Sequence, residues 1–237
     1  MQITKCLAAC WALIRALVFT IISCLKLFRL NDDAKLAKRR LIIDWCHQLM
    51  KIFECQWLVE WRTSALPTNE PLVVMSNHAS HLDIPFLFMA FDPVPLTMVA
   101  KKELFQIPIF GRAMYSSQMA ISVNREDHRA AMGTMQEAAN LVKSGKLVWI
   151  APEGHRSTTG ALGRFKRGGF WLAKHSGAKI VPVTIIGSGK VLPAKRWLPN
   201  LKQRVKIIIG PLVDTAQASE KQLMEEVAAI MQHNLEL

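Results

Sequence analysis

Leu72-Val73-Val74-Met75-Ser76-Asn77-His78-Ala79-Ser80-His81-Leu82-Asp83 is an apolar run that breaks off into polar residues, and apolar text resumes at Ile84. A short β-branched run bounded by polar residues predicts a buried strand over 72–76, and the text beyond Asp83 predicts a helix over 84–91. Working outward, the same alternation recurs. Strands are expected over 57–62, 96–100, 119–123, 147–151, 180–186 and 205–209, and helices over 126–144, 168–176 and 219–234. Strands separated by helices imply an α/β fold with a largely parallel sheet flanked by helices. No repeat, low-complexity stretch or Gly/Ser linker divides this text, so 59–237 reads as one α/β domain.

The composition is consistent with this. The chain has 237 residues, 51% of them apolar and 20% charged, with a net charge of +12. That length is ample for a core, the apolar content excludes a disordered chain, and it is too low for a protein of many membrane spans. The charge points to an anionic partner: nucleic acid, a phosphorylated substrate or an anionic lipid surface. Residues 143–206 hold fourteen basic residues and one acid, Glu153. So isolated an acid is expected to make a specific contact. The five cysteines lie within the first 55 residues in helical, apolar text. An odd number there is a poor disulfide framework and no CxxC pair suggests zinc, so a reducing compartment is the simpler reading.

Residues 1–58 read differently. From Cys6 to Leu25 the text is apolar except at Arg15. Twenty helical residues reach about 30 Å, the thickness of a bilayer core. A cation in mid-span costs roughly 2.5–3.5 kcal/mol on insertion scales. In helical projection Lys5, Arg15, Lys26 and Arg29 share an arc of about 120°, which suits a helix lying in the membrane interface better than one crossing it. A spanning helix, or a signal processed near Ile21-Ile22-Ser23-Cys24, is the alternative. Asn31-Asp32-Asp33 offers a start for a second helix, with acids in its first turn. In that helix Arg40, Asp44, His47 and Lys51 share one face, and Ile42, Cys46, Leu49 and Phe53 share the other. Either this apolar face covers its own domain, or the segment 1–58 is an amphipathic helical hairpin that binds membrane. In the second case Trp45, Trp57 and Trp61 lie near the headgroups and Lys38-Arg39-Arg40 meets anionic lipid.

Three segments carry candidate chemistry. His78 and Asp83 stand five apart at a strand end, where open α/β sheets bind ligands. If the loop turns back, the Asp fixes the tautomer of the His and stabilises the imidazolium that forms when His78 takes a proton. A G-x-S-x-G elbow is absent, so the hydroxyl to be activated belongs to the substrate. The alternatives are a metal site of His78, His81 and Asp83, and a capping loop with a satisfied histidine. Ala151-Pro152-Glu153-Gly154-His155-Arg156-Ser157 follows another apolar run; its Gly permits close backbone approach and its Arg offers a bidentate fork to phosphate. Arg164-Phe165-Lys166-Arg167-Gly168-Gly169, basic and Gly-rich before a helix, could also hold an anion. Walker-type spacing is absent.

Asn77-His78 with Asp83 resembles the N-H-x4-D box of the glycerolipid acyltransferases. Glu153-Gly154 with Arg156-Ser157 is similar to that family's E-G-T-R-S box, with His155 in place of the threonine. Phe165-Lys166-x-Gly168 resembles the segment that follows it, and Val181-Pro182-Val183 the proline-containing fourth motif. Arg125 falls at the arginine of the second box, although Val123-Asn124 replaces its more usual Ile-Asp. The order holds from about residue 70 to 190. Length and the apolar beginning resemble 1-acyl-glycerol-3-phosphate acyltransferases most.

The resemblance implies transfer of a fatty acyl group from a thioester to the free hydroxyl of lysophosphatidate, giving phosphatidate. His78 would be the general base, oriented by Asp83. Arg125, Arg156 and Lys166 would hold the acceptor phosphate, with Glu153, Gly154 and Ser157 shaping its pocket. The partners implied are membrane lipid, lysophosphatidate and an acyl-carrier-protein or coenzyme A thioester, the last a co-substrate. No metal or redox cofactor is implied. The enzyme would sit on the cytoplasmic face of a membrane, the inner one in a bacterium. The same fold acting on another lysolipid, such as a lyso-ornithine lipid or a lysophospholipid, is the nearer alternative; a non-catalytic basic membrane-binding protein is the more distant. Nucleic-acid binding would call for exposed aromatic platforms among the cations, and the only tyrosine, Tyr115, lies outside the basic stretch.

Overall fold

The computed structural model describes residues 2–63, 65–67, 70–124 and 128–236. Among the described residues seven strands form one sheet: β1 (Gln56–Trp61), β2 (Leu72–Ser76), β3 (Leu96–Lys101), β4 (Ala120–Val123), β5 (Leu147–Ile150), β6 (Lys179–Ile186) and β7 (Arg204–Ile209). The helices are α1 (Gln2–Phe28), α2 (Lys35–Ile52), α3 (Asp83–Phe91), α4 (Lys102–Phe105), α5 (Phe110–Ser117), α6 (His128–Lys143), α7 (Arg167–Ser176), α8 (Ser188–Val191) and α9 (Glu220–Leu235). Strand order is β1-β7-β6-β2-β5-β3-β4. All neighbours run parallel except β6 and β7. The sheet is therefore mixed but mostly parallel, and the pair at the β1 edge runs against the rest.

Alternation along the strands sorts the core into two layers. In β2, Leu72 and Val74 join one cluster and Val73 and Met75 the other. The first cluster takes side chains from α1, α2, α3, α5 and α8, and the second from α6, α7 and α9. The central strands are buried on both faces, as parallel strands covered by helices must be.

The apolar face of α2 covers its own domain. Cys46, Leu49 and Phe53 are buried in the first cluster with Ile42 against it, each larger side chain contributing roughly 1.5–3 kcal/mol. The expected acidic start of this helix gives way to a different use. α2 begins after Ala34 with no side-chain cap, and Asp32 pairs with the Lys38 ammonium at 3.1 Å. Lys38 is only 2% exposed and also donates to the Ser116 carbonyl at 3.0 Å. A buried unpaired ammonium costs more than an open helix end, so the carboxylate goes to the lysine. Of Lys38-Arg39-Arg40, then, the first is internal and the second bridges Asp92. Trp45 is spent on the contact between α1 and α2, its indole N–H donating to Thr20 Oγ1 at 3.0 Å. β1 crosses the 58/59 boundary and pairs along its length with β7.

α1 is two-faced. Ala9, Ala12, Ala16, Ser23 and Leu27 are buried, while Ile3, Leu7, Ile14, Leu17, Val18 and Ile21 are exposed on the opposite side. The segment Ile3–Phe28 is long and apolar enough to cross a membrane.

Candidate active site

Three parallel strands end side by side with β2 between β5 and β6, and their C-terminal loops converge. Past Ser76 the ladder continues through a side chain. Asn77 Nδ2 donates to the Ile185 carbonyl at 2.9 Å and Ile185 N–H donates to Asn77 Oδ1 at 2.7 Å. This places His78 at the mouth of the sheet.

The loop then turns back, and Asp83, fully buried at the first residue of α3, closes it. Its Oδ2 meets His78 Nδ1 at 2.8 Å and accepts the Ala79 and Ser80 N–H groups, both at 2.8 Å. With a carboxylate as partner, Nδ1 carries the proton, and the lone pair lies on Nε2. The His78 side chain remains 16% exposed. Trp149 backs the ring edge-on at 5.8 Å, itself anchored by its indole N–H to Ser76 Oγ at 2.9 Å.

The second segment clamps the backbone of the first. Buried Glu153 accepts the His78 N–H at 3.0 Å on Oε1 and the Gly163 N–H at 2.8 Å on Oε2. On the other side of the histidine, Ser157 N–H donates to the His78 carbonyl at 2.6 Å. The Ser157 hydroxyl is engaged within its own turn, donating to the Ala161 carbonyl at 2.8 Å and accepting the Gly160 N–H at 3.1 Å. Gly154 has φ +72°, and a Cβ there would lie 2.9 Å from Lys166 Cδ, so the lysine stem crosses directly over it.

Arg156 is half-buried, with Nη1 donating to the Ala194 carbonyl at 3.3 Å. His81 is an exposed residue whose ring is only partly withdrawn from solvent. Withdrawal of its ring from bulk water, then the charges of Arg156 and His78, push its pKa down to about 4. Lys166 is exposed; with His155, Arg164, Phe165, Arg167 and Met224 it lines a depression of about 530 Å³. Arg125 lies outside the described residues. Among the described residues no group of three His, Cys, Asp or Glu side chains is arranged to hold a metal ion.

The structure thus brings together His78, Asp83, Glu153, Gly154, Arg156, Ser157 and Lys166. Trp149 and Ser80 also support the site, unforeseen from the sequence: Ser80 Oγ donates to the Leu192 carbonyl at 2.8 Å, beside α8. The aromatic inventory of the basic stretch is also corrected. Trp197, within it, is 82% exposed.

Comparison with known proteins agrees with this architecture. A chloroplastic 1-acyl-sn-glycerol-3-phosphate acyltransferase from Brassica napus is 38% identical over 54% of this chain and 37% of its own length. A 1-acyl-sn-glycerol-3-phosphate acyltransferase from Pseudomonas aeruginosa is 28% identical over 74% of this chain and 68% of its own length. The chain spans little more than a third of the length of the plant relative. The crystal structure of the 1-acyl-sn-glycerophosphate (LPA) acyltransferase PlsC from Thermotoga maritima shares the fold. Its TM-score is 0.83 at 23% identity, over 99% of this chain and 96% of that one. The profile of the acyltransferase family matches residues 59–186, more than half of the chain. The chain belongs to the acyltransferase family.

Proposed function

We propose that this protein transfers a fatty acyl group from an acyl thioester to the free hydroxyl of 1-acyl-glycerol-3-phosphate, giving phosphatidate. The observation that carries the reading is the His78 Nδ1 to Asp83 Oδ2 contact of 2.8 Å at the end of β2. The names of the plant and bacterial relatives, 1-acyl-sn-glycerol-3-phosphate acyltransferases, support the choice of acceptor.

In this reading the acceptor hydroxyl gives its proton to His78 Nε2 as its oxygen attacks the thioester carbonyl carbon. Asp83 stabilises the imidazolium. Collapse of the tetrahedral intermediate breaks the carbon–sulfur bond, and the departing thiolate takes the proton back from Nε2. Proton and electron pair are both accounted for without a redox or metal cofactor. Arg156, with Arg125 and Lys166, holds the acceptor phosphate; Glu153, Gly154 and Ser157 hold the loop that presents Arg156. The donor is an acyl-carrier-protein or coenzyme A thioester, consumed from the cytoplasmic side. The exposed apolar face of α1 lies in the membrane interface, flanked by Lys5, Arg15, Lys26 and Arg29.

The test is a panel of lysolipid acceptors with one labelled donor of each kind, the products identified by mass spectrometry. Phosphatidate as the main product is expected. Preference for a lyso-ornithine lipid or a headgroup-bearing lysophospholipid would replace the acceptor, and no acylation of any of them would defeat the reading.

A further inference from the structure

We infer that the loop between α8 and β7 is a second lipid contact, a rigid rim that seats Trp197 and Leu198 in an anionic membrane surface beside the catalytic pair. The inference rests on the reading that the acceptor at His78 is a lipid. Its sequence is Leu192-Pro193-Ala194-Lys195-Arg196-Trp197-Leu198-Pro199-Asn200. Trp197 is 82% exposed and Leu198 37%. One exposed apolar side chain is ordinary, but three further observations bear on this pair.

The loop is held in shape. Asn200 N–H donates to the Val191 carbonyl at 2.7 Å, Asn200 Nδ2 to the Lys190 carbonyl at 2.7 Å, and Arg196 N–H to the Pro193 carbonyl at 3.0 Å. These bonds close the loop at its base, so the indole is presented by a fixed scaffold and little order has to be gained on binding. The loop is also wired to the site: the Leu192 carbonyl accepts from Ser80 Oγ and the Ala194 carbonyl from Arg156 Nη1. Finally, it belongs to the layer that carries α1. Leu192 and Leu201 pack against the cluster that includes Ala12 and Ala16, and Lys202 N–H donates to the Phe53 carbonyl at the end of α2.

Exposed Lys190, Lys195 and Arg196 flank the two apolar side chains. An amphipathic ring with cations alongside suits the headgroup region of an anionic bilayer, where the indole sits at the interface and the cations meet lipid phosphates. Single-stranded nucleic acid fits less well, because it needs successive stacking platforms. Among the described residues of 143–206, Trp197 is the one exposed aromatic side chain.

The test uses the full chain with vesicles of phosphatidylcholine and phosphatidylglycerol, some carrying brominated acyl chains. The fluorescence of the wild type minus that of Trp197→Phe isolates the single indole. Quenching of that difference by brominated, anionic vesicles is expected, whatever α1 does. Trp197→Ala and the double variant Lys195→Glu/Arg196→Glu should each raise KM for vesicle-borne lysophosphatidate, on the order of tenfold for the charge reversals. kcat, and turnover of a short-chain lysophosphatidate presented as monomers, should be unchanged. Circular dichroism checks that both variants are folded. An unquenched difference spectrum, an equal loss on both substrate presentations, or quenching by oligodeoxythymidylate in place of vesicles would overturn the inference. A wild type that quenches normally but acylates nothing would instead count against the proposed reaction alone.

Discussion

Glu153 holds His78 by the backbone: Oε1 of the buried carboxylate accepts the histidine N–H at 3.0 Å while Oε2 accepts the Gly163 N–H at 2.8 Å. The one acid in the basic stretch therefore joins its own segment to one 75 residues away and fixes the His78 backbone from behind, without engaging the imidazole.

Glu153→Gln puts an amide NH2 opposite one of those two N–H donors. A buried donor facing a donor costs about 1–3 kcal/mol. Urea unfolding should show a loss of that order, with kcat lowered by displacement of His78 and KM for the phosphate-bearing acceptor raised by loosening of the loop that presents Arg156. A variant with unchanged stability would mean that the clamp is dispensable.

Arg156→Ala should mainly raise the KM for a phosphate-bearing acceptor and leave a neutral lysolipid less affected. Arg156→Lys should not fully rescue, since an ammonium cannot supply two parallel donors. Steady-state kinetics on both acceptors decide it. An equal loss on the two would assign Arg156 to holding the loop through Ala194.

The membrane reading of α1 needs a gentler test than truncation, because α2 and the Phe53 that follows it contribute Cys46, Leu49, Met50 and Phe53 to the core. Ile14→Glu with Ile21→Glu changes only the exposed side of α1. Vesicle co-sedimentation should drop sharply while the melting temperature is kept. Undiminished sedimentation would place the membrane contact elsewhere.

His81 gives a pH dependence with a definite sign. Its pKa lies near 4 in the folded protein and near 6.5 when unfolded. Between those values the unfolded chain binds more protons, so stability falls as pH drops through this window. Partial exposure of the ring screens the effect. Urea titrations from pH 7 to 4 should show the wild type losing stability relative to His81→Gln; parallel curves would contradict the shift.

Much of this architecture is legible in the sequence because the two-layer core writes itself into each strand. All seven expected strands lie within a residue or so of the observed ones. The helix expected at 219–234 runs from Glu220 to Leu235 behind its N-cap Ser219, which forms a reciprocal capping box with Gln222. What escaped depends on distant partners. α5 is preceded by Ile109 at φ +66°, and at Gly111 a Cβ would fall 2.1 Å from the Phe105 carbonyl oxygen. Such a turn is imposed by packing, not by periodicity. The antiparallel entry of β7 has no local signature either, since its apolar run would serve in both directions. In the site, the spacing of His78 and Asp83 was readable along one loop. That the isolated Glu153 makes a specific contact is also readable, but its partner is not, because the contact with the His78 N–H exists only once β2 and β5 are neighbours.

The pairing of His78 with Asp83 makes the sharpest prediction. If His78 Nε2 takes the hydroxyl proton, that interaction exists chiefly in the transition state. His78→Ala should therefore lower kcat by roughly 10²–10⁴-fold with little change in KM. Asp83→Asn is more discriminating. Three donors meet at Oδ2, namely His78 Nδ1–H, Ala79 N–H and Ser80 N–H, so the asparagine should turn its carbonyl oxygen toward them and preserve the tautomer. What is lost is the negative charge that stabilises the imidazolium, and the amide NH2 is left at the Oδ1 position, which is buried and, among the described residues, without a hydrogen-bond partner. A severe fall in kcat is expected, together with a modest loss of stability from the unpaired amide. His81→Ala should be mild by comparison. A metal site built on His78, His81 and Asp83 orders these differently, with all three variants failing together. The wild type should keep full activity in excess EDTA. Loss of turnover in the chelator, restored by added zinc, would defeat the general-base assignment.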